Sequence, residues 1–557
     1  MPDSLVPKTI SVLAEGYGFT RLKADALAGL TVAIVALPLS MAIAIASGVT
    51  PDRGLYTAIV GGFLVSLLGG SRVQIGGPAG AFIVLVAATG ARHGLDGLLL
   101  ATAMSGIMLV AAGYLRLGQY IKFIPYPVTV GFTAGIAVII FASQLRDLFG
   151  LTLGGPEPGP IVDKVAVLAH AAGTLNGAAV LTAGLTIGII LGLRRLRPHW
   201  PGMLIAVAAA SALVALLQLP AETIGTRFGG IPRGLPLPAL PPLSLEKAMA
   251  VFPDAVSFAL LGAIESLLSA VVADGMTGRR HRSSVELIAQ GIANIGSALF
   301  GGICVTGTIA RTATNVRAGA TSPVSGMLHS VFLLLFMLLA APLASYIPLA
   351  SLAGVLAIVA WNMIEKPAFM ALLRSSYGDA VVLLATFLIV VFRELTEGIV
   401  IGFALGAVLF IDRMAKSISI GETKPLAPGK PENGEEEHPL IADDPDTVIY
   451  RISGIFFFGS AATVGTVLDR IADQRQNFVL DCSEVPFMDS TAANVIEGTL
   501  RKAERTGVRF IITGARSQVR RTLYQHDVRP PRVLMRASVE AALQTIRSEK
   551  AASEKAA

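Results

Sequence analysis

Two stretches of this sequence place reactive side chains in apolar surroundings. The first is Thr306-Gly-Thr-Ile-Ala-Arg-Thr312, where Arg311 follows the glycine-rich turn Gly301-Gly-Ile-Cys-Val at the start of an apolar run. An arginine at membrane depth is expensive and usually faces a cavity. With Thr306, Thr308, Thr312 and the free N–H groups of a helix start, it would form a charged, hydrogen-bonding cradle for an oxyanion. The competing reading is a boundary arginine that snorkels to the interface. The second stretch is Ser257-Phe-Ala-Leu-Leu-Gly-Ala-Ile-Glu265-Ser-Leu-Leu-Ser269, in which Glu265 is the lone carboxylate. Such a group can couple proton uptake to a transport step, and Ser269, one turn later on the same face, could instead help to hold a cation. A structural, hydrogen-bonded glutamate is the alternative there.

The elements that must position these residues are membrane spans. The chain has 557 residues, 53% hydrophobic and 15% charged, where a soluble globular chain carries about 25% charged residues. Runs such as 32–46, 178–193, 331–341 and 381–391 hold no charge, and charge density rises sharply only after Ser417. The net charge of +6 sits in short basic clusters between apolar runs, among them Arg194, Arg195 and Arg197, and Arg279, Arg280 and Arg282. That distribution follows the positive-inside rule and places those loops in the cytoplasm; it is not a nucleic-acid footprint. Cys304 and Cys482 fall in different domains, so a structural disulfide is not expected. The first twenty residues lack the apolar core of a cleavable signal. Without a Walker A sequence, an HExxH pair or a dense Cys/His set, direct ATP-driven transport, a metal centre and an enzymatic role are not supported, and no cofactor is expected.

The apolar runs give about fourteen spans: 27–46, 55–68, 79–89, 98–115, 128–148, 175–193, 203–219, 256–273, 285–300, 309–318, 324–339, 347–363, 380–392 and 398–411. An even number puts both termini on one side, and the basic clusters fall on that side. Two spans are too short to cross the bilayer alone. Gln74-Ile-Gly-Gly-Pro78 opens the run 79–89, and the turn before Thr308 opens 309–318. Each is the third span of its half, which points to an inverted-repeat transporter whose half-helix N-termini meet at a central site. Kinked packing helices would be the bland reading. Pro38, in Leu37-Pro-Leu-Ser-Met41, interrupts the first span and would free carbonyls there, with Ser40 and Met41 facing the cavity; a plain kink is equally consistent. Asp25 and Asp274 lie near span ends beside basic residues and read as structural.

Residues 417–446 are rich in Pro, Gly and acid and read as a flexible linker. Beyond it, strands at 447–453, 478–482 and 508–513 alternate with helices at 461–473 and 492–506, an α/β pattern. The expected organisation is a cytosolic N-terminus at 1–24, a transmembrane transporter domain at 25–416, the linker, and a small domain at 447–550.

These residues resemble the SulP family of sulfate permeases and related bicarbonate and dicarboxylate carriers. The resemblance rests on Ala28-Gly-Leu-Thr-Val-Ala33 with Leu37-Pro-Leu-Ser-Met-Ala42, on Gly76-Gly-Pro78, and on Gly291-Ile-Ala-Asn294 followed by Thr306–Thr312 and by Gly319-Ala-Thr-Ser-Pro323. The tail is similar to a STAS domain through Ile455-Phe-Phe-Phe-Gly459, Val479-Leu-Asp481 and Phe487-Met-Asp-Ser-Thr491. The resemblance implies a 7+7 inverted repeat with core and gate domains like those of uracil permease, and elevator transport. It maps a substrate site to Ala79, Gly80, Ala81, Thr308, Ala310, Arg311 and Thr312, and a coupling-ion site to Glu265 and Ser269. Glu at that position is associated with protons and Asp with sodium. A homodimer and a cytosolic regulatory partner at the STAS domain are also implied. The sequence departs from the family at Leu39, where many relatives carry Gln or Glu, and at Ala492, where glycine often follows Asp-Ser-Thr. Ser490 or Thr491 is a candidate regulatory phosphosite, with a helix N-cap as the alternative.

The expected function is therefore secondary active transport of a small anion across the inner membrane by proton-coupled symport. Sulfate comes first as substrate, with bicarbonate or a C4-dicarboxylate as other members of the same oxyanion class. Sodium-coupled bicarbonate symport and anion exchange are alternatives within transport. A membrane-anchored sensor signalling through the STAS domain is the alternative outside it.

Overall fold

The computed structural model describes residues 5–155, 157–197, 200–242, 244–393, 395–422, 446–471 and 476–556. It forms two units, Met1–Gly406 and Ala407–Ala557. Every expected span corresponds to a helical segment, the last of them, Leu395–Lys416, running from the first unit into the second. Eight described helices are long and apolar enough to cross a membrane, including Phe19–Ala46, Tyr126–Phe149 and Val324–Ala344, while Gly202–Leu217 and Tyr377–Phe392 are shorter apolar helices. The remaining segments are short or interrupted. The second span runs as Pro51–Tyr56, a π-helical turn Thr57–Gly61, and Gly62–Leu68. The third and fourth share Ile83–Tyr114, whose helical geometry breaks at Gly94 (φ 68°, ψ −174°). The ninth is Ser283–Leu299 and the tenth Ile309–Arg317. At 1.5 Å per residue, the nine residues of the tenth helix reach about half the thickness of a hydrocarbon core.

Close helix packing accounts for one of the glycine motifs. A Cβ on Gly106 would fall 2.6 Å from the Gly291 carbonyl oxygen, and one on Gly291 would fall 2.4 Å from that of Gly106. The fourth and ninth spans therefore touch backbone to backbone, a contact that only glycine at both positions permits. The carboxylates near span ends are structural, as expected. Asp25 accepts hydrogen bonds from the Thr321 N–H (2.6 Å), the Ser322 N–H (3.2 Å) and the Tyr17 hydroxyl (2.8 Å), which ties the start of the first span to the loop before the eleventh. Burial and the neighbouring Asp25 push the Tyr17 phenol up to about 12, so it remains a donor to the carboxylate. Asp274 accepts from the His281 N–H (3.0 Å) and pairs with its Nδ1 (2.7 Å).

The second unit is built on a five-stranded sheet in the order Ser419–Glu422, Thr447–Ser453, Asn477–Glu484, Arg509–Thr513, Leu534–Arg536. The first pairing is antiparallel and the others are parallel. Strand alternation sends Phe478, Leu480, Cys482, Phe510 and Ile512 into one apolar layer with Ile496 and Leu500, and Val479 and Ile511 into the other with Ala542 and Ile546. Burial on both faces is what parallel strands require. The linker expected at 417–446 is corrected at its start: Ser419–Glu422 pairs with Thr447–Ser453 and belongs to the sheet. Its alternating Ile418 and Ile420, both packed against the first apolar layer, explain why. The remainder of that stretch, 423–445, lies outside the described residues. Cys304 and Cys482 are buried, free thiols in separate units.

Candidate functional site

The site is built around a two-residue antiparallel strand pair. Gly76 lies opposite Gly307 and Gly77 opposite Thr306. Each strand leads at once into a helix: Gly76–Gly77 through Pro78 and Ala79 into the 3-10 turn Gly80–Phe82 and Ile83–Tyr114, and Thr306–Gly307 through Thr308 into Ile309–Arg317. Because the strands are antiparallel, the two helices leave from opposite ends of the ladder and their N-termini face one another across it. Neither has a side-chain cap at Ala79 or Thr308. The Thr308 hydroxyl is turned back to donate to the Ile75 carbonyl (3.3 Å). Uncapped first-turn N–H groups carry the positive end of the helix dipole, an arrangement suited to an anion.

Irregular backbone at this depth needs its polar groups satisfied, and side chains from neighbouring spans supply the partners. Asn294 accepts from the Val305 N–H at 3.0 Å, while the Gln290 and Asn294 amides both donate to the Val305 carbonyl. Thr312 Oγ1 accepts from the Ile75 N–H (3.1 Å) and Asn315 donates to the Val73 carbonyl (2.9 Å). Gln74 donates to the Ser266 hydroxyl at 2.9 Å. None of Gln74, Ser266, Gln290 or Asn315 was identified from sequence. Their signal is polar side chains recurring in otherwise apolar spans, with Gln290 and Asn294 one turn apart. Glu286 was likewise missed: it is fully buried in the ninth span, where it accepts from the Gly70 (2.8 Å) and Ser71 (3.0 Å) N–H groups and closes the end of the second span.

Arg311 projects from the first turn of Ile309–Arg317 and is 2% exposed. It does not snorkel. Its Nη2 donates to Ser40 Oγ (3.2 Å) and to the Pro78 carbonyl (3.2 Å), bridging the tenth span to the first and third. Nε and Nη1 are buried without a partner among the described residues. A Cβ on Gly77 would lie 2.1 Å from Nη1, so the guanidinium rests on the strand pair itself. Ser40, expected with Met41 to face the cavity, is fully buried and accepts from Arg311, and Phe19–Ala46 remains one helix through Pro38. Ser269 donates to Thr312 Oγ1 (3.1 Å), which joins the eighth span to the residue after Arg311. Glu265 is 7% exposed and makes no hydrogen bond or ion pair with any described residue. Ala79 and Ala81 are buried, Gly80 is half-buried and Ala310 is exposed. Gly80 is closely approached by Ile140 and Met363, which belong to the fifth span and the end of the twelfth: a Cβ there would lie 3.2 Å from Ile140. Thus Ala79–Ala81, Thr308, Arg311 and Thr312 are brought together, and Glu265 and Ser269 stand behind them on the eighth span.

In the second unit the N-cap role expected of Ser490 or Thr491 belongs to Asp489, whose Oδ1 accepts from the Ala492 N–H (2.9 Å) and whose Oδ2 accepts from the Phe458 N–H (2.9 Å). A carboxylate one residue earlier reaches both donors, and Ser490 and Thr491 are left exposed on the first turn.

Comparison with known proteins gives consistent matches. The sulfate permease family profile matches residues 22–386, and the STAS domain profile matches residues 438–542. The chain is 41% identical over 516 residues to the putative sulfate transporter YvdB of Bacillus subtilis, covering 92% of this chain and 95% of that one. It is 31% identical over 525 residues to the bicarbonate transporter BicA of Synechocystis, covering 92% and 91%. Among solved structures it resembles the transmembrane domain of a cyanobacterial bicarbonate transporter BicA, with a TM-score of 0.63, 31% identity, and coverage of 69% of this chain and 98% of that one. The overall structure of SLC26A9 shares the fold, with a TM-score of 0.85 at 17% identity over 99% of this chain and 94% of that one.

Proposed function

The chain belongs to the sulfate permease family, and from that premise we propose that it is a secondary active transporter of a small oxyanion. One observation carries the reading: the membrane-buried Arg311 guanidinium, beside two uncapped helix starts, keeps two donors unpartnered among the described residues. Two N–H edges and two helix dipoles converging on one point match the oxygens of a tetrahedral or planar oxyanion. Ala79–Ala81 line one side of the anion and Thr308–Thr312 the other. A proton, in preference to sodium, binds at Glu265, and Ser269 passes the occupancy of that site to Thr312 through its hydrogen bond. Spans 1–4 with 8–11 form the moving core, and spans 5–7 with 12–14 form the gate past which it slides. The protein sits in the inner membrane with both termini in the cytoplasm and works as a homodimer. The STAS unit is the receiving surface for a cytosolic partner, and Ser490 or Thr491 is its regulatory hydroxyl.

Sulfate is the preferred substrate, because the relative at 41% identity is named a putative sulfate transporter; bicarbonate follows from the relative named BicA at 31%. Uptake of labelled sulfate, bicarbonate and succinate into proteoliposomes, under imposed proton or sodium gradients, tests the reading. Sulfate accumulation driven by an inward proton gradient is expected, and no accumulation of any of the three would overturn it. A second result is expected at Gly77. An added methyl group collides with Arg311 Nη1, so Gly77→Ala should displace the guanidinium and reduce sulfate uptake at least about ten-fold. Uptake equal to that of the unmodified protein would remove Arg311 from the anion site.

A further inference from the structure

The first unit contains a second basic site, separate from the Arg311 cradle. A cavity of about 650 Å³ opens where the connection after the fourth span meets the start of the fifth span and the eighth and ninth spans. One side is basic, lined by Arg116, Arg280 and Arg282. The other is apolar, formed by Leu267, Leu268 and Val271 of the eighth span. Among the described residues, no carboxylate pairs with these arginines. Arg116 and Arg280 make no ion pair or hydrogen bond with any described residue. Arg282 donates to the neutral Val6 carbonyl and Ser11 hydroxyl (3.0 Å). Among the described residues no aspartate or glutamate lines the cavity, and the nearby Asp274 is occupied by His281. The crowding is felt by Lys8, whose ammonium is held below its ordinary value by burial and by the charges of Arg282 and Arg72. Arg116 also takes a left-handed backbone conformation (φ 57°), usual for glycine after a helix end and unfavourable for arginine.

We propose that this cavity binds the phosphate headgroup of an anionic phospholipid, with the first part of an acyl chain against Leu267, Leu268 and Val271. The basic loops assign this end of the protein to the cytoplasmic leaflet, where anionic lipids and clustered arginines meet. The wall of three apolar side chains decides between sources of phosphate: a free inorganic anion would leave that wall wet, whereas an amphiphile covers it. Tyr126 and Val271 are both more than half exposed at the rim and provide access from the bilayer. Thr129 of the fifth span also lines the cavity, so the lipid touches gate and core together. A ligand that fits the cavity in this conformation favours this conformation over the one reached when the core moves.

Native mass spectrometry of the full chain, released from nanodiscs of defined composition, tests the assignment. Phosphatidylglycerol or cardiolipin should be retained, and phosphatidylcholine should not. The double variant Arg116→Ala with Arg280→Ala should lower retention at least ten-fold, while Arg116→Lys with Arg280→Lys should recover most of it. Melting of each variant without lipid should match the unmodified protein, which separates lost binding from lost folding. Inorganic phosphate at millimolar concentration should fail to displace the lipid. Undiminished retention by the alanine variant, equal retention of phosphatidylcholine, or displacement by free phosphate would each overturn the proposal.

Discussion

Replacing Arg311 by alanine should abolish anion uptake and leave the empty protein at least as stable as before. The first half follows from geometry. Nε and Nη1 are buried beside the strand pair, Nη1 against Gly77, without a partner among the described residues, so the bound anion is the group that would complete them. Losing one side of a buried, charge-assisted contact typically costs about 3–5 kcal/mol, or roughly 10²–10⁴-fold in affinity. The second half separates this site from a structural ion pair. A buried cation with no carboxylate paired to it among the described residues is a net cost to the empty fold, offset there by hydrogen bonds to Ser40 and the Pro78 carbonyl. Removing it should therefore leave the melting temperature in detergent unchanged or raised, and should eliminate the stabilisation that sulfate gives the unmodified protein. Arg311→Lys should fall between the two, since an ammonium keeps the charge but loses the planar fork. Full uptake by the alanine variant, or a melting temperature that collapses with it, would defeat the assignment.

Much of this arrangement was legible in the sequence because the bilayer restricts what a chain can do. Apolar length alone located the spans, and the short runs after Pro78 and Gly307 announced half-helices, since broken helices survive in a membrane only around a site. The boundary at 417 was misread because a four-residue edge strand, Ser419–Glu422, has too little sequence to carry a period and borders a Pro- and Gly-rich stretch. The partners of the residues that satisfy the strand pair were not legible for a different reason. Gln74, Gln290, Asn294 and Asn315 act on backbone groups up to 242 positions away, and nothing local states which carbonyl an amide will reach. The destination of Arg311 was open on the same grounds. Its type and depth suggested a cavity, but only the contact with Gly77 and Ser40 distinguishes a cradle from a side chain reaching for the interface.

Exchanging Glu265 for glutamine should uncouple transport from the proton gradient. The carboxylate is nearly buried and meets no donor or cation among the described residues, so a charge there has no internal compensation and a transported cation is the natural partner. Glutamine keeps the shape and cannot exchange a proton. In proteoliposomes loaded for sulfate uptake, the unmodified protein should accelerate when the outside is made acidic and lose that response with an uncoupler. The Glu265→Gln variant should show neither effect. A variant whose uptake still follows the proton gradient would place coupling elsewhere. A sodium gradient that drives the unmodified protein and fails on the variant would keep the site and change the ion. Charge balance adds a second readout. Binding an anion of charge −z with one proton changes the charge of the moving core by 1−z, so a monovalent anion crosses without net charge and sulfate carries one negative charge with it. Moving that charge through 100 mV is worth about 2.3 kcal/mol. Sulfate uptake by the unmodified protein should therefore depend on an imposed membrane potential when one proton accompanies it, whereas bicarbonate uptake should not. In the glutamine variant the dependence should grow, because the anion then moves with its full charge and no proton beside it.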